Sequence, residues 1–274
     1  DYEGAVTAML GHKMTDVDIK IAKKGEEILK LDNLALSDQS IGINLSVYKS
    51  EVVAITGLLG SGKTELASIL FGVKRPASGT IYLNKKLFSP NNPREAIKKG
   101  VYMSPKDRAS NAVIGDFDIE RNLTLPFLGS YAWLSMLRFK FLRKLARNKI
   151  EEMGVICQSE NDEIETLSGG NQQKVVVGRW LMEPCSLLVL DEPFQGVDIK
   201  ARRDIGTYIR KTSNIRATIV LVAELDEALE IADRILVMNE KSLVGEHVND
   251  NVNINKLLGD IAGKNLMPEQ ISRQ

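Results

Sequence analysis

The stretch "EVVAITGLLGSGKTELASILFG", Glu51 to Gly72, constrains the fold of this chain more than any other. A continuously apolar run enters a glycine, the pattern of a strand covered on both faces. "GLLGSGKT" fits the spacing G-x-x-x-x-G-K-[ST]. "GKTELASILFG" then puts Leu66, Ile69 and Leu70 on one helical face, with Gly72 as a C-terminal stop. Strand, glycine loop and helix in this order form an anion cradle, because the loop N–H groups and the helix N-terminus point at one spot. The candidate nucleotide-binding residues are therefore Gly57, Leu58, Leu59, Gly60, Ser61, Gly62, Lys63, Thr64 and Glu65. Gly57, Gly60 and Gly62 let the backbone approach phosphates, Lys63 reaches the outer ones, and the Thr64 hydroxyl is placed to ligand Mg2+.

The remaining chain alternates strands with helices, which predicts an α/β fold with a mostly parallel central sheet. "EILKLDNLAL" and "SIGINLSVYKS" alternate apolar and polar residues and predict antiparallel strands ahead of the loop. "GTIYLNKK" reads as a strand and turn, and "NNPREAIKKG" as a short helix opened by proline. "SLLVLDEP" and "ATIVLVAEL" read as buried strands, "ARRDIGTYIRKT" and "DEALEIAD" as helices, and "RILVMNEKSLVGE" as a closing pair of strands. The segment "LPFLGSYAWLSMLRFKFLRKLARNKIEEMG" interrupts the alternation and is predicted to be mostly helical, with its aromatic residues in the core of that insertion.

"SLLVLDEP" also carries chemistry. Two acids at the end of a buried strand are unfavourable unless a cation or ligand waits there. Beside a phosphate loop, Asp191 is the candidate to hold a metal's water shell, and Glu192 the candidate to orient and deprotonate an attacking water. Lys plus Arg number 36 and Asp plus Glu 36, so the chain has no basic footprint for nucleic acid or an anionic membrane surface. Cys157 and Cys185 lack metal-ligand spacing and read as reduced thiols. No apolar run approaches the roughly 18 residues needed to cross a bilayer, so a membrane role must run through a partner.

A second glycine-rich loop opens another helix in "TLSGGNQQKVVVGRW", Thr166 to Trp180. The order of phosphate loop, helical insertion, "LSGGNQQK" and "LLVLDEP" resembles the ATPase domain of ABC transporters over about residues 28 to 247. "GLLGSGKTELASILFG", "YMSPKDR", "LSGGNQQKVVVGRWL" and "DEPFQGVDIKARRDI" resemble more narrowly the C-terminal half of the tandem ATPases of simple-sugar importers. The resemblance implies a P-loop ATPase with an N-terminal antiparallel β-subdomain and an inserted helical subdomain at about 104–182. It implies a domain over 26–250, preceded over 1–25 by a linker from another ATPase half and followed over 251–274 by a peripheral tail. It implies ATP and Mg2+ as cofactors, with catalytic roles for Lys63, Asp191 and Glu192 and metal contacts from Thr64 and Asp191. Leu167, Ser168, Gly169, Gly170, Asn171 and Gln172 would form a signature loop acting in trans on the nucleotide of a facing lobe. Gly196, Val197 and Asp198 would form a dimer loop. The implied partners are a second ATPase half in the same polypeptide, membrane permease subunits and, indirectly, an extracellular solute-binding protein, at the cytoplasmic face of the cell membrane.

Three departures weaken the implied site. Where the family places a histidine after the strand following Asp-Glu, this chain has Ala223 and then Glu224; His12 and His247 lie in terminal segments and are expected to be solvent-exposed. Where a glutamine is expected after "GVY", the chain reads Met103, Ser104, Pro105, Lys106, Asp107. Asp107 is expected either to reach magnesium through water or to pair with Arg108 or Lys106. No aromatic residue stands near Leu34 to Ile41 to stack on adenine. The expectation is a domain that binds MgATP, turns it over slowly, and contributes more in trans than in cis. A structural half without hydrolysis, or a soluble ATPase of this type acting on nucleic acid, are the alternatives; the neutral charge speaks against the second.

Overall fold

A computed structural model describes residues 21, 23–133 and 136–263. Two sheets pack around one helix. β1 (Glu27–Ala35), β2 (Ile43–Tyr48), β4 (Ser78–Leu83) and β5 (Lys86–Leu87) form an antiparallel sheet in the order β2-β1-β4-β5. The main sheet has the order β12-β11-β3-β10-β9-β6, built from β3 (Val52–Thr56), β6 (Val101–Ser104), β9 (Leu187–Asp191), β10 (Ala217–Leu221), β11 (Arg234–Asn239) and β12 (Ser242–Val248). All of its pairings are parallel except that of β12, which returns antiparallel along β11. The expected strands and the mixed character of the fold are therefore present.

Strand periodicity divides the core. Val53 and Ile55 face the layer holding the antiparallel sheet and α1 (Lys63–Leu70), together with Leu29, Val47, Leu66 and Leu70. Val52 and Ala54 face the other way, against Ile205, Ile209, Leu229 and Leu257. A side-chain period of two on a strand buried on both faces produces this split, which is why β3, β9 and β10 read as unbroken apolar runs.

Register places the ends of the strands that carry the candidate residues. Leu221 of β10 is the partner of both Ile55 in β3 and Asp191 in β9. The loop leaving β3 and the acids ending β9 therefore emerge side by side at the carboxyl edge of the sheet, where open α/β folds bind ligands.

Between β6 and β9 lies a mostly helical layer. It contains α3 (Arg108–Asn111), α4 (Ile119–Thr124), α5 (Leu128–Tyr131), α6 (Phe139–Met153) and α7 (Gly169–Arg179), while α2 (Pro93–Lys98) precedes β6. Ile119, Leu123, Ala146, Ile164, Leu167 and Val175 give this layer its own small core. The insertion is mostly helical as expected, interrupted by β7 (Ala132–Trp133) and β8 (Met136–Leu137), which pair as a hairpin. Phe127 and Tyr131 are buried as expected, but Phe139 is 65% exposed. Phe141 lies between, its ring 6.0 Å from Tyr131 and 4.7 Å from the Arg138 guanidinium.

The C-terminal part of the domain corrects a second expectation. His247 is buried rather than exposed, its Nε2 2.8 Å from Asp260 Oδ2. Asp260 belongs to α10 (Ile254–Ile261), whose Leu257 is fully buried in the second core. The polar tail carries an amphipathic stripe that a glance at composition hides. His12 lies outside the described residues.

Candidate functional site

The phosphate loop wraps the N-terminus of α1. Gly57, Gly60 and Gly62 have φ of 150°, 82° and 104°, the left-handed region. At Gly57 the constraint is absolute: a Cβ there would lie 2.2 Å from the Met238 carbonyl oxygen at the end of β11. At Gly60 the opposite holds, with no atom within 4 Å of where a Cβ would stand. Ser61 donates its backbone N–H to Leu58 at 3.1 Å, closing the turn, while Leu59 at the tip is 96% exposed. The Ser61 hydroxyl is buried with no hydrogen-bond partner. Lys63, in the first turn of α1 beside Thr64, curls back so that its ammonium donates to the Gly57 carbonyl at 2.5 Å. Burial pushes this ammonium below the usual lysine range; Glu192 and Asp191 oppose the shift and Lys106 adds to it.

Asp191 is 1% exposed at the end of β9. Its carboxylate oxygens are buried without a full hydrogen bond, facing the Thr64 hydroxyl. Burial raises the Asp191 carboxyl above its ordinary range, because a low-dielectric surrounding disfavours the anion. A hydroxyl and an unsatisfied carboxylate meeting beside a glycine cradle are oxygen donors of the kind magnesium takes, so the residues present fit that ion.

Glu192 breaks the strand with φ 47°, an unfavourable conformation for a residue with a Cβ, and is tied down by its N–H donating to Leu221 O at 2.9 Å. Its side chain meets Lys106, whose ammonium donates to Oε1 at 2.8 Å. Lys106 was missed by sequence reasoning as a site residue, because no spacing rule links the exit of β6 to the exit of β9 until the sheet order is known. Asp107 has a role the sequence did not suggest: its Oδ1 accepts from Ser110 N at 3.1 Å as the N-cap of α3, while the neighbouring Arg108 acts on it only through its charge.

A cavity of about 330 Å³ opens next to Glu192, bounded by Gly196, Val197, Ala223, Glu224 and Glu227. Ala223 thus stands where a histidine was expected, across open space from the candidate base. Glu227 accepts the backbone N–H groups of Ala223 and Glu224, both at 3.3 Å, closing a capping box at the start of α9 (Leu225–Ile231). Burial pushes the Glu227 carboxyl up to about 7, against the pull of the N–H bond.

The second loop is held from three sides. Ser168 caps α7, its Oγ accepting from Asn171 N at 3.4 Å and Nδ2 at 3.0 Å. The hydroxyl proton remains available to an outside acceptor. Gln172 donates to the carbonyls of Ile164 and Leu167, at 3.3 and 3.1 Å, and fixes the approach to the helix. Gly170 is where α7 touches α8 (Ile199–Lys211): a Cβ there would lie 2.7 Å from Ala201 Cβ and 3.2 Å from Asp198 Oδ2. Asp198 caps α8 by accepting from Ala201 N at 2.8 Å. Beside Gly169 stand Gly196 O and the Arg108 Nη2, the latter 3.0 Å from the position of an added Cβ. Arg108 Nε and Nη1 are buried with no hydrogen-bond partner. The structure brings the second loop together with Gly196 and Asp198. None of the close neighbours of Gly169 and Gly170 comes from the phosphate loop. Ile41 is 53% exposed, and Leu36 packs against Gly62.

The family model described as ABC transporter matches residues 41–195. The chain is 32% identical over 263 residues to the ribose import ATP-binding protein RbsA of Clostridium tetani, covering 92% of this chain and 51% of that protein. It is 32% identical over 248 residues to the arabinose import ATP-binding protein AraG of Vibrio parahaemolyticus, covering 89% of this chain and 49% of that one. The chain spans about half the length of the curated relatives it matches. Among solved structures, the ATP-binding cassette MJ0796 bound to ADP and Pi superposes with a TM-score of 0.69 at 20% identity, covering 82% of this chain and all of that one. The ADP conformation of the cassette MJ1267 superposes with a TM-score of 0.71, also at 20% identity, covering 88% and 97%. These likenesses show the cassette fold.

Proposed function

The chain belongs to the ABC transporter family, and we propose that it is one of two ATP-hydrolysing lobes of a simple-sugar importer, with a weakened site of its own and a signature loop that serves the facing lobe. ATP binding draws the lobes together, hydrolysis lets them part, and the movement alternates a membrane permease at the cytoplasmic face. Similarity across most of the chain to ribose and arabinose import proteins supports the sugar assignment. No helix among the described residues is long and apolar enough to cross a membrane, which fits work through permease subunits. The proposed second ATPase half precedes this one in the same polypeptide.

The observation that carries the reading is the convergence of the phosphate loop with Asp191 and Glu192 at one sheet edge. Thr64 and Asp191 would hold magnesium, which when bound neutralises charge on the phosphate oxygens. The loop N–H groups bind and orient the triphosphate. Lys63 leaves the Gly57 carbonyl for the outer phosphates. Glu192 accepts the proton of the attacking water at its carboxylate. Ala223 offers no imidazole to stabilise the developing charge, so turnover in this site is slow. Across the interface, the Ser168 hydroxyl and the first N–H groups of α7 donate to a phosphate brought by the partner lobe. Retention of Glu192 favours hydrolysis over a purely structural half.

The deciding experiment is purification of the full polypeptide with its membrane subunits and a reconstituted uptake assay. Sugar uptake and ATPase activity that rise together with the cognate binding protein support the reading; ATPase activity indifferent to permease and sugar overturns it.

A further inference from the structure

One neighbour, Asn171, holds the Ser168 hydroxyl from two directions. The Asn171 backbone N–H reaches Ser168 Oγ at 3.4 Å, and the side-chain Nδ2 reaches it at 3.0 Å. Which end of that amide faces the serine is decided elsewhere. Asn171 Oδ1 accepts from the backbone N–H of Ile156 at 3.0 Å, and a backbone N–H can only donate. The carbonyl end of the amide therefore faces Ile156, and the NH2 end faces Ser168.

The segment that makes this choice is itself pinned. Residues 154–156 leave α6 and run beside α7, with Val155 donating its N–H back to Ile150 O at 2.9 Å. Three residues along α7 from Asn171, the buried Lys174 donates to the Gly154 carbonyl at 2.9 Å and to Asp204 Oδ2 of α8 at 2.7 Å. Positions 171 and 174 share a helix face, so α7 grips the segment at two points. Gln172 has no such freedom, because its amide donates to the carbonyls of Ile164 and Leu167.

A serine hydroxyl carries one proton and two acceptor lone pairs. Both lone pairs of Ser168 are engaged by donors from Asn171, so the proton points away from that residue, on the side where Ser168 is exposed. A free hydroxyl rotates and serves as donor or acceptor alike. This one is set as a donor before any ligand arrives, and an incoming anion meets it without reorganisation.

We propose that Asn171 is a positioning residue for the trans reaction: by occupying the lone pairs of Ser168 it fixes the hydroxyl as an outward donor to the terminal phosphate of the nucleotide on the facing lobe. The inference rests on the signature loop acting in trans. Its amide polarity is the operative property. A carboxylate of the same shape would still accept from Ile156, but its second oxygen could only accept from Ser168 and would turn the proton inward.

The test is a mutant cycle in the full polypeptide with its membrane subunits: Asn171→Ala and Asn171→Asp, each with Ser168 and with Ser168→Ala. Asn171→Ala is expected to lower kcat for ATP hydrolysis roughly fivefold, the loss of one oriented hydrogen bond, and Asn171→Asp roughly 20-fold or more, the reversal of a bond to a charged group. In the Ser168→Ala background each is expected to cost less than about twofold, because there is no hydroxyl left to orient. Any change in Tm is expected to be equal in the two backgrounds, since the bond to Ile156 is lost or kept in both. Undiminished kcat in the Asn171 variants, or losses that persist in the Ser168→Ala background, overturn the inference. Ser168→Ala hydrolysing as fast as the parent instead overturns the trans role of the signature loop itself.

Discussion

The Lys63 ammonium donates to the Gly57 carbonyl 2.5 Å away, so the cation proposed to meet phosphate is satisfied by its own loop. Lys63→Ala therefore removes the proposed ligand contact while leaving one half-buried carbonyl without its donor. MgATP affinity is expected to fall about 30-fold or more, as for a lost charge-assisted contact, with little change in the Tm of the nucleotide-free chain. Calorimetric titration and thermal melting read the two effects separately.

The proposed asymmetry between two lobes would have its own signature. In the complete transporter, Ser168→Arg places a bulky cation where the facing phosphate must dock and is expected to abolish nearly all ATPase activity. Lys63→Ala disables only the site proposed to be weakened and is expected to leave a substantial part. Equal losses in steady-state assays would remove the proposal that this domain acts chiefly in trans.

Gly170 has a structural duty beside its place in the signature. Gly170→Ala drives a methyl to within 2.7 Å of Ala201 Cβ and is expected to destabilise the chain by about 1–3 kcal/mol, the usual range for overpacking. Combining it with Ala201→Gly opens that contact and should recover part of the loss. Urea unfolding of both variants measures it.

Glu227 makes stability depend on pH. Its carboxyl is pushed up to about 7 by burial, so the folded state holds the proton more tightly than the unfolded chain. The contribution is complete below the ordinary carboxylate range and is lost as pH rises through about 7, by at most about 3 kcal/mol. Glu227→Gln, which can still accept the Ala223 and Glu224 N–H groups, is expected to flatten the fall in Tm between about pH 5 and 8.

Arg179 pins the helical layer. It is 5% exposed and donates to the carbonyl oxygens of Asn122 and Ala112 and to Asn122 Oδ1, the Ala112 bond at 2.6 Å and the Oδ1 bond at 2.8 Å. Burial lowers its guanidinium to about 10, so it stays charged at neutral pH. Arg179→Met removes three buried hydrogen bonds, leaving Asn122 Oδ1 with only the Ile114 N–H, and is expected to cost about 3 kcal/mol or more, with amide exchange rising first in α4 and α7.

Those features legible from sequence share one property: their physics is local. The phosphate loop needs only a strand, three glycines, a lysine and a threonine in order, and β3, β9 and β10 announce themselves because burial on both faces removes alternation. Asp191 and Glu192 were readable for the same reason. Lys106 was not, since its contact with Glu192 spans 86 residues and exists only because β6 lies beside β9 in the sheet. His247 misled because a histidine near a polar tail looks solvated until α10 folds back and covers it. The hairpin of β7 and β8 sits inside a segment whose apolar content suits a helix equally well, and short apolar runs do not discriminate.

The backbone reversal at Glu192 has a wider implication. A residue with a Cβ held at φ 47° lies in a region that glycine or asparagine occupies with less strain. The chemistry wants a carboxylate there and the polypeptide wants something smaller, so robustness and turnover pull this position in opposite directions. On the proposed assignment of Glu192 as proton acceptor, an acid kept at this strained position marks a lobe that cleaves, since a purely structural lobe would gain by dropping it.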